Sequence, residues 1–472
     1  MALNQYTPEE PISSIATALA PAALGIVRVS GKNCIELISK VFSRPKALLE
    51  AAGNTLVYGW VQDAASQNEG EKSRIYDEVM LGVYRGPKSF TGEDMVEIFC
   101  HGGPAVVTSI HSLLLKNGFR QALPGEYTFR AYINGKADLT KAEAVKEIID
   151  SHTNVSQQRA AGRLFGSLRQ EIDDIKKLIV DTIAAIEVEI EYPEDEETIA
   201  DSFDSSALKT AIKRLQSLSD SWKGEKLYQD GARVVLCGRT NAGKSSLFNA
   251  ILKEERAIVS EIEGTTRDWL ESWASINGIP VRLFDTAGLR KTDDVIEARG
   301  VELTKNLSQE ADLVLYLVDS TGGMNDEDRD FIKNCAEPLV LVWTKADKNA
   351  ANNDSKTQSD GLKGDLPVEE VLLSSKTGEG LKELFAKIYA ILTQGIKTDR
   401  EQAGIGSLRQ KKAVDEALEC VKHSLIFAEE DYALDAVVQD LEDTLDCLAE
   451  IVGEVTPDDV LGSIFANFCV GK

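Results

Sequence analysis

The stretch GRTNAGKS, Gly238 to Ser245, sets glycines, a lysine and a serine at a spacing that suits one task, the holding of a phosphate chain. Glycines let backbone N–H groups close around an anion at the start of a helix. Lys244 can reach the outer phosphates, and the Ser245 hydroxyl can ligate a magnesium ion beside them. The apolar run RVVLC precedes the motif and SLFNAIL follows it, so strand, loop and helix come in the order this chemistry needs. Asn241, Ala242, Gly243, Lys244, Ser245 and Ser246 are the expected contacts of that loop.

Further segments follow in an order that narrows the ligand. DTAG, with Asp285, Thr286, Ala287 and Gly288, ends an apolar run where a magnesium-side loop belongs. TKAD, with Thr344, Lys345, Ala346 and Asp347, ends another. An aspartate there can accept two hydrogen bonds from the ring N–H and exocyclic amine of guanine, a pair that adenine cannot offer, so the ligand is GTP. SSK, with Ser374, Ser375 and Lys376, follows the last apolar run and would cap the base. GTTRD, Gly264 to Asp268, falls where a loop sensing the terminal phosphate belongs. Many GTPases place a glutamine just after the D-x-x-G motif to orient water. Here that place is Leu289, so another group must do the work.

A second feature lies in FCVGK, Phe468 to Lys472. A thiol such as Cys469 near a chain end invites oxidation unless it has a task. A prenylation box is the rival reading, but Lys472 is a poor final residue for one. The other six cysteines read as packing residues. Seven cysteines without a C-x-x-C pair, with only four histidines, argue against a disulfide framework or a zinc site.

The chain of 472 residues carries a net charge of −25, the wrong sign for gripping nucleic acid over a wide surface. An RNA substrate would need a local patch or a partner to hold it. LRQKK, with Arg409, Lys411 and Lys412, is a candidate patch, but taken alone it reads first as a solvated helix face. No apolar run is long enough to span a bilayer, and the opening MALNQYTPEEP lacks the features of a signal peptide. The expectation is a cytoplasmic protein with no membrane association.

Three textures position these residues. Residues 1–136 mix short apolar runs with Gly and Pro turns, as in LGIVRVSG and MVEIFCHGG, and read as an α+β domain. Residues 137–227 are helical: Leu164, Leu168, Ile172, Ile175, Ile179, Ile183, Ile186 and Ile190 form one stripe of a long amphipathic helix. Residues 228–390 alternate near-continuous apolar runs with helices, the pattern of a parallel sheet covered on both faces. From 391 to 472 helices return, with a stripe at Leu434, Val438, Leu441, Leu445 and Leu448. The expected fold is multidomain: an α+β N-terminal domain, then a helical bundle interrupted by an inserted α/β P-loop GTPase domain.

With these motifs in place the whole chain resembles the family of bacterial and organellar tRNA modification GTPases that act on wobble uridine. Two outlying signatures carry the resemblance beyond the GTP site. One is GPKSFTGEDMVEIFCHGG followed by PGEYTFRAYINGKADLTKAEAV, and the other is the terminal C-x-G-K. The resemblance implies a homodimer working with an FAD-dependent partner protein as a heterotetramer. Together they would install a carboxymethylaminomethyl-type group at position 5 of wobble uridine in tRNA. A tetrahydrofolate derivative, in the 5-formyl or 5,10-methylene form, would supply the one-carbon unit, with GTP, magnesium and potassium driving the cycle. Residue by residue, it places folate contacts on Arg28, Glu97, Lys136 and Lys472. It places potassium on Asn241, Ser260, Ile262 and Thr265, with Glu261, Glu263 and Gly264 in the same nucleotide-contacting loop. Thr266 matches a second magnesium hydroxyl, and Glu297 the acid that orients water in place of the glutamine. It also gives Cys469 a task in the modification chemistry, as a transient nucleophile or a polar contact to folate. The rival from another class is a non-catalytic switch such as a GTPase assisting ribosome assembly. Such a protein shares the GTP site but has no reason for SFTGED or C-x-G-K, and a generic regulatory module ranks third.

Overall fold

A computed structural model of the chain describes residues 10–63, 74–191, 205–254, 270–285, 309–348, 368–396, 404–429, 434–466, 468, 470 and 471. Two compact units emerge, Met1–Lys146 with Gln439–Lys472, and Glu147–Val438.

The first unit is built on six strands, β1 (Ile12–Ile15), β2 (Ala22–Ser30), β3 (Thr55–Gln62), β4 (Ile75–Tyr84), β5 (Met95–Gly102) and β6 (Arg120–Gln121). They form one sheet in the order β3-β4-β5-β2-β1-β6, antiparallel except for the β1–β6 pair. Side chains alternate across a strand, and here the alternation sorts apolar residues to one face. Val27, Val29, Leu81, Val83, Val96 and Ile98 are buried in a core shared with Ile110 and Leu114 of the helix Pro104–Lys116. That helix starts with proline, whose missing N–H costs nothing at a first helical position. The opposite face carries Arg28 and Glu97, directly paired across β2 and β5.

Within the same unit the helix Asp458–Ala466 lies against the helix Glu126–Ile133. Phe465 meets the ring of Phe129 edge-on at 5.2 Å, and Phe468 is buried in the same cluster. The close approach requires glycine at 125: its φ is +70°, and an added Cβ would stand 2.5 Å from the Phe465 carbonyl oxygen.

The second unit holds β7 (Ala232–Gly238), β8 (Leu270–Ile276), β9 (Ile279–Asp285), β10 (Leu313–Asp319), β11 (Leu339–Thr344) and β12 (Glu369–Leu372). Their order is β12-β11-β10-β7-β9-β8, all parallel except β8, which runs antiparallel to β9. The continuous apolar runs are explained by burial on both faces. Val234, Leu315 and Val342 point into one core, Val235, Val314 and Leu341 into another.

Long helices flank this sheet in sequence. Ser205–Asp230 before it and Leu408–Glu429 after it are tied by hydrogen bonds from Ser219 to Asp415 and from Lys411 to Ser219. The chain is therefore a multidomain protein in which an α/β nucleotide-binding fold interrupts a helical segment. Among the described residues no helix is long and apolar enough to cross a membrane.

The expected helical stripes are corrected in two places. The run from Leu164 to Ile190 is not one helix. Gly166, with φ +110°, ends the helix Asn154–Phe165 and a second, Ser167–Glu191, begins at once. Leu164 and Ile190 at the ends of the stripe are exposed, while Leu168, Ile172, Ile175, Ile179, Ile183 and Ile186 are buried. In Leu434–Val452 the inward positions are Val437, Leu441, Thr444 and Leu448, so the stripe is rotated from the expected Val438 and Leu445. Thr444 can face inward because its hydroxyl donates to the Asp440 carbonyl at 2.8 Å.

The start of Asn154–Phe165 is fastened to the nucleotide-binding fold. Its N-cap Thr153 accepts from the Ser156 N–H and donates its hydroxyl to the Gly278 carbonyl in the β8–β9 turn. Ser156 donates to the Tyr228 carbonyl at 2.6 Å. His152 stacks on Trp273 of β8 with centroids 3.8 Å apart. Burial lowers the pKa of His152, which keeps the stacked ring uncharged at neutral pH. Further along that helix, buried Arg163 bridges Glu147 and Glu225, and Arg159 joins Glu225 from its other oxygen. Cutting Glu147 and Glu225 together would strand buried Arg163, a loss of about 3–5 kcal/mol or more.

Candidate functional site

β7 runs into the loop Gly238–Gly243 and out into the helix Lys244–Glu254. The loop takes left-handed backbone at Gly238 (φ +131°), Asn241 (+61°) and Gly243 (+99°), which turns successive N–H groups toward one side. At Gly238 a side chain is excluded outright, since a Cβ would stand 2.3 Å from the Leu317 carbonyl oxygen. The Lys244 ammonium donates to the carbonyls of Gly238 and Arg239 at 2.7 and 2.8 Å and so spans the loop. Asn241, Ser245 and Ser246 are exposed at the same place, Ala242 is buried, and Asp285 is fully buried at the end of β9. A hydroxyl at the helix start beside a carboxylate from the neighbouring strand fits a magnesium-bound triphosphate. Among the described residues no group of three His, Cys, Asp or Glu side chains is placed to hold a metal.

Arg239 went unrecognised in the sequence, although it occupies a variable position of the motif. It donates to the Gly323 carbonyl at 2.7 Å and pairs with buried Asp328 at 3.1 Å, fixing the loop to the segment after β10.

β11 and β12 bring the second half of the site to the same carboxyl-end side of the sheet as β7, the side where open α/β sheets bind ligands. Thr344 is buried, and its hydroxyl donates toward the Ala242 carbonyl at 2.7 Å. Lys345 adopts φ +59° and pairs with Asp319 at the end of β10 at 2.5 Å. Burial works against charge on Asp319, but bonds from Lys345 and Thr321 outweigh it and hold the carboxyl below its ordinary pKa. Ala346 N–H bonds the Leu373 carbonyl, and Asp347 is exposed with its Oδ1 accepting from Ser374 at 2.8 Å. Ser374 is fully buried, Ser375 half-buried and Lys376 exposed. The carboxylate expected to read guanine is thus held by the segment expected to cap it.

In the first unit, Arg28 bonds Glu97 through Nε at 2.9 Å and Nη2 at 2.7 Å, and its Nη1 donates to the Gly471 carbonyl at 3.0 Å. Tyr84 and Tyr127 flank the pair: Tyr84 OH donates to Glu97 Oε2 at 3.4 Å, and Tyr127 OH donates to the Arg28 carbonyl at 2.8 Å. A carboxylate and a guanidinium, with the Tyr84 ring and the tail beside them, fit the amino-pyrimidine edge and acidic tail of a folate. Lys136 is exposed beside Gly92, and no described contact joins it to Arg28 or Glu97.

The described thiols contrast with what a reactive one needs. Burial pushes Cys237 up to about 12 and Cys100 up to about 11, so both stay protonated at neutral pH. Ser260, Glu261, Ile262, Glu263, Gly264, Thr265, Thr266, Thr286, Ala287, Gly288, Glu297, Cys469 and Lys472 lie outside the described residues.

A six-stranded sheet with this phosphate loop and guanine loop defines a P-loop GTPase. The TrmE N-terminus of GTP-binding proteins matches residues 11–136, and the MnmE helical domain matches residues 139–469. A Treponema denticola protein named tRNA modification GTPase MnmE is 51% identical over 479 residues, covering all of both chains. Proteins of the same name from Treponema pallidum strain Nichols and Carboxydothermus hydrogenoformans are 41% and 38% identical. The first match covers all of both chains, the second 98% of this chain and all of the relative. The chain belongs to the MnmE family of tRNA modification GTPases, and it is an enzyme of that class.

Proposed function

We propose that this chain hydrolyses GTP in a potassium-dependent manner and, with an FAD-dependent partner protein, adds a carboxymethylaminomethyl-type group to the 5 position of wobble uridine in tRNA. A tetrahydrofolate derivative supplies the one-carbon unit. The observation that carries the reading is the convergence of Arg28, Glu97 and the Gly471 carbonyl, because a plain GTP switch has no use for it.

In the GTP site Lys244 holds the outer phosphates, and Ser245 with Thr266 holds magnesium. Asn241, Ser260, Ile262 and Thr265 hold potassium, and Glu297 orients the water that attacks the terminal phosphorus. The phosphorus–oxygen bond to the β-phosphate breaks as the new bond forms, giving GDP and phosphate. Thr344 to Asp347 and Ser374 to Lys376 hold the base. In the folate site Glu97 takes the pterin edge, and Arg28, Lys136 and Lys472 take the acidic tail. Cys469 serves the modification chemistry at that second site. The division is four-part: 1–136 for folate and dimerisation, 137–227 and 391–472 for the helical domain, and 228–390 for GTP. The working form is a homodimer, joined by the flavoprotein as a heterotetramer in the cytoplasm.

Reconstitution with the flavoprotein, a one-carbon folate, GTP and tRNA, followed by nucleoside analysis, tests the whole reading. Modified uridine should form only with all components in potassium buffer. Full yield without folate, or with sodium in place of potassium, would remove the corresponding part.

A further inference from the structure

The first residue of the guanine loop is a threonine, and its surroundings decide what it can do. Thr344 ends β11 with 2% of its surface exposed. Its hydroxyl oxygen lies 2.7 Å from the Ala242 carbonyl oxygen and 3.2 Å from the Val318 carbonyl oxygen. Carbonyls only accept, and a hydroxyl carries one hydrogen. That hydrogen is shared between two protein acceptors, so the side chain has no donor left for a nucleotide. Three nearby backbone donors are also committed: Ala346 N–H to Leu373, Leu373 N–H to Trp343, and Ser374 N–H to Glu379.

Guanine presents its amine and ring N–H on one edge and the acceptor N7 on another. N7 needs a donor. An asparagine would bring two N–H groups to this place, one to tie the loop and one to offer N7, whereas threonine brings a single hydrogen. We propose that Thr344 is a positioning residue that fastens the phosphate loop to the base-binding loop and leaves N7 of the base unread. Base selection then rests on Asp347, held by Ser374. This rests on reading Thr344–Asp347 and Ser374–Lys376 as the guanine site.

Competition of GDP, 7-deaza-GDP and IDP against a fluorescent GDP, using the full chain, tests both levels. The 7-deaza compound replaces N7 with carbon, and IDP lacks the amine that Asp347 reads. On the unaltered protein 7-deaza-GDP should bind within about twofold of GDP, while IDP should be weaker by about tenfold or more, the loss of a bond to a charged group. In Thr344→Asn, GDP should gain about threefold to tenfold over 7-deaza-GDP, the worth of one neutral hydrogen bond. In Thr344→Val, which cuts the tie, all three ligands should weaken together with their ratios unchanged. Discrimination of about fivefold or more against 7-deaza-GDP by the unaltered protein overturns the proposal, whether or not either variant folds. If IDP is still weak, the guanine site survives that result. Equal binding of IDP and GDP overturns the guanine site and the proposal with it.

Discussion

Among the described residues the two sheets have six strands each, yet they build their sites in opposite ways. The central strands β7, β10 and β11 of the largely parallel sheet are packed on both faces, so their mid-strand apolar side chains are taken up by the two cores. This sheet's site is made where strands end, from loop backbone past β7, from Asp285 at the end of β9, and from the residues just past β11 and β12. The antiparallel sheet packs its main core on one face, and Arg28 and Glu97 stand in mid-strand on the other. One site is therefore a matter of turns and dipoles, and the other of cross-strand side-chain pairs. A change in the first should alter GTP turnover and tRNA modification with it, whereas a change in the second should alter tRNA modification and spare GTP turnover.

The largest separation is expected at the tail. Cys469→Ser keeps the size of the side chain but removes most of its nucleophilicity. It should cut tRNA modification by about 10³ or more, while GTP hydrolysis stays near its original rate. Normal modification would make the thiol a spectator, and loss of hydrolysis alone would assign the tail to the wrong site. Next comes the phosphate end of the GTP site. Sodium in place of potassium, or Glu297→Ala, should lower GTP turnover by about 10² or more, judged against the 10³–10⁵ worth of an arginine finger. Equal turnover in the two salts would refute the cation, and full activity in Glu297→Ala would refute the acid. Asp347→Asn replaces an acceptor with a donor opposite guanine. It should weaken GTP binding by about ten- to a hundredfold and move preference toward xanthine nucleotide, with unchanged affinity in a nucleotide titration counting against Asp347. The smallest effect is expected from Gly125→Ala, where left-handed backbone and the Phe465 carbonyl both oppose a Cβ. A loss of about 1–3 kcal/mol in urea unfolding should result, and an unchanged midpoint would mean that the C-terminal helix gives way freely.

The same contrast governs what could be read from sequence. GRTNAGKS, TKAD and SSK are contiguous, and each owes its function to backbone shape that glycine and strand ends announce locally. Arg28 and Glu97 are 69 positions apart, and Arg28 and Gly471 are 443 apart. Only sheet register and the return of the C-terminal helix unite them, so family resemblance, not spacing, pointed to them. Periodicity found the helices but missed the break at Gly166, because apolar residues continue in phase across it. It also misjudged the face of Leu434–Val452, where an internal hydroxyl bond lets Thr444 turn inward. That the Thr344 hydroxyl is committed to two carbonyls depends on the meeting of three strand ends, for which no local pattern exists.

β9 runs from the turn that Thr153 grips straight to Asp285. Seven extended residues span about 23 Å at the usual rise per residue, with neighbours on both edges. Mechanically this is a pushrod: with ladders on both edges, a shift at one end would be passed along the strand toward the other. The helix seated on the turn would then be geared to the state of the nucleotide with no moving part between them. Trp273, stacked on His152, stands at that bearing. Its fluorescence should change when GDP is exchanged for a GTP analogue in a chain whose other four tryptophans are phenylalanine, and a flat signal would show that the stroke is absorbed before it arrives.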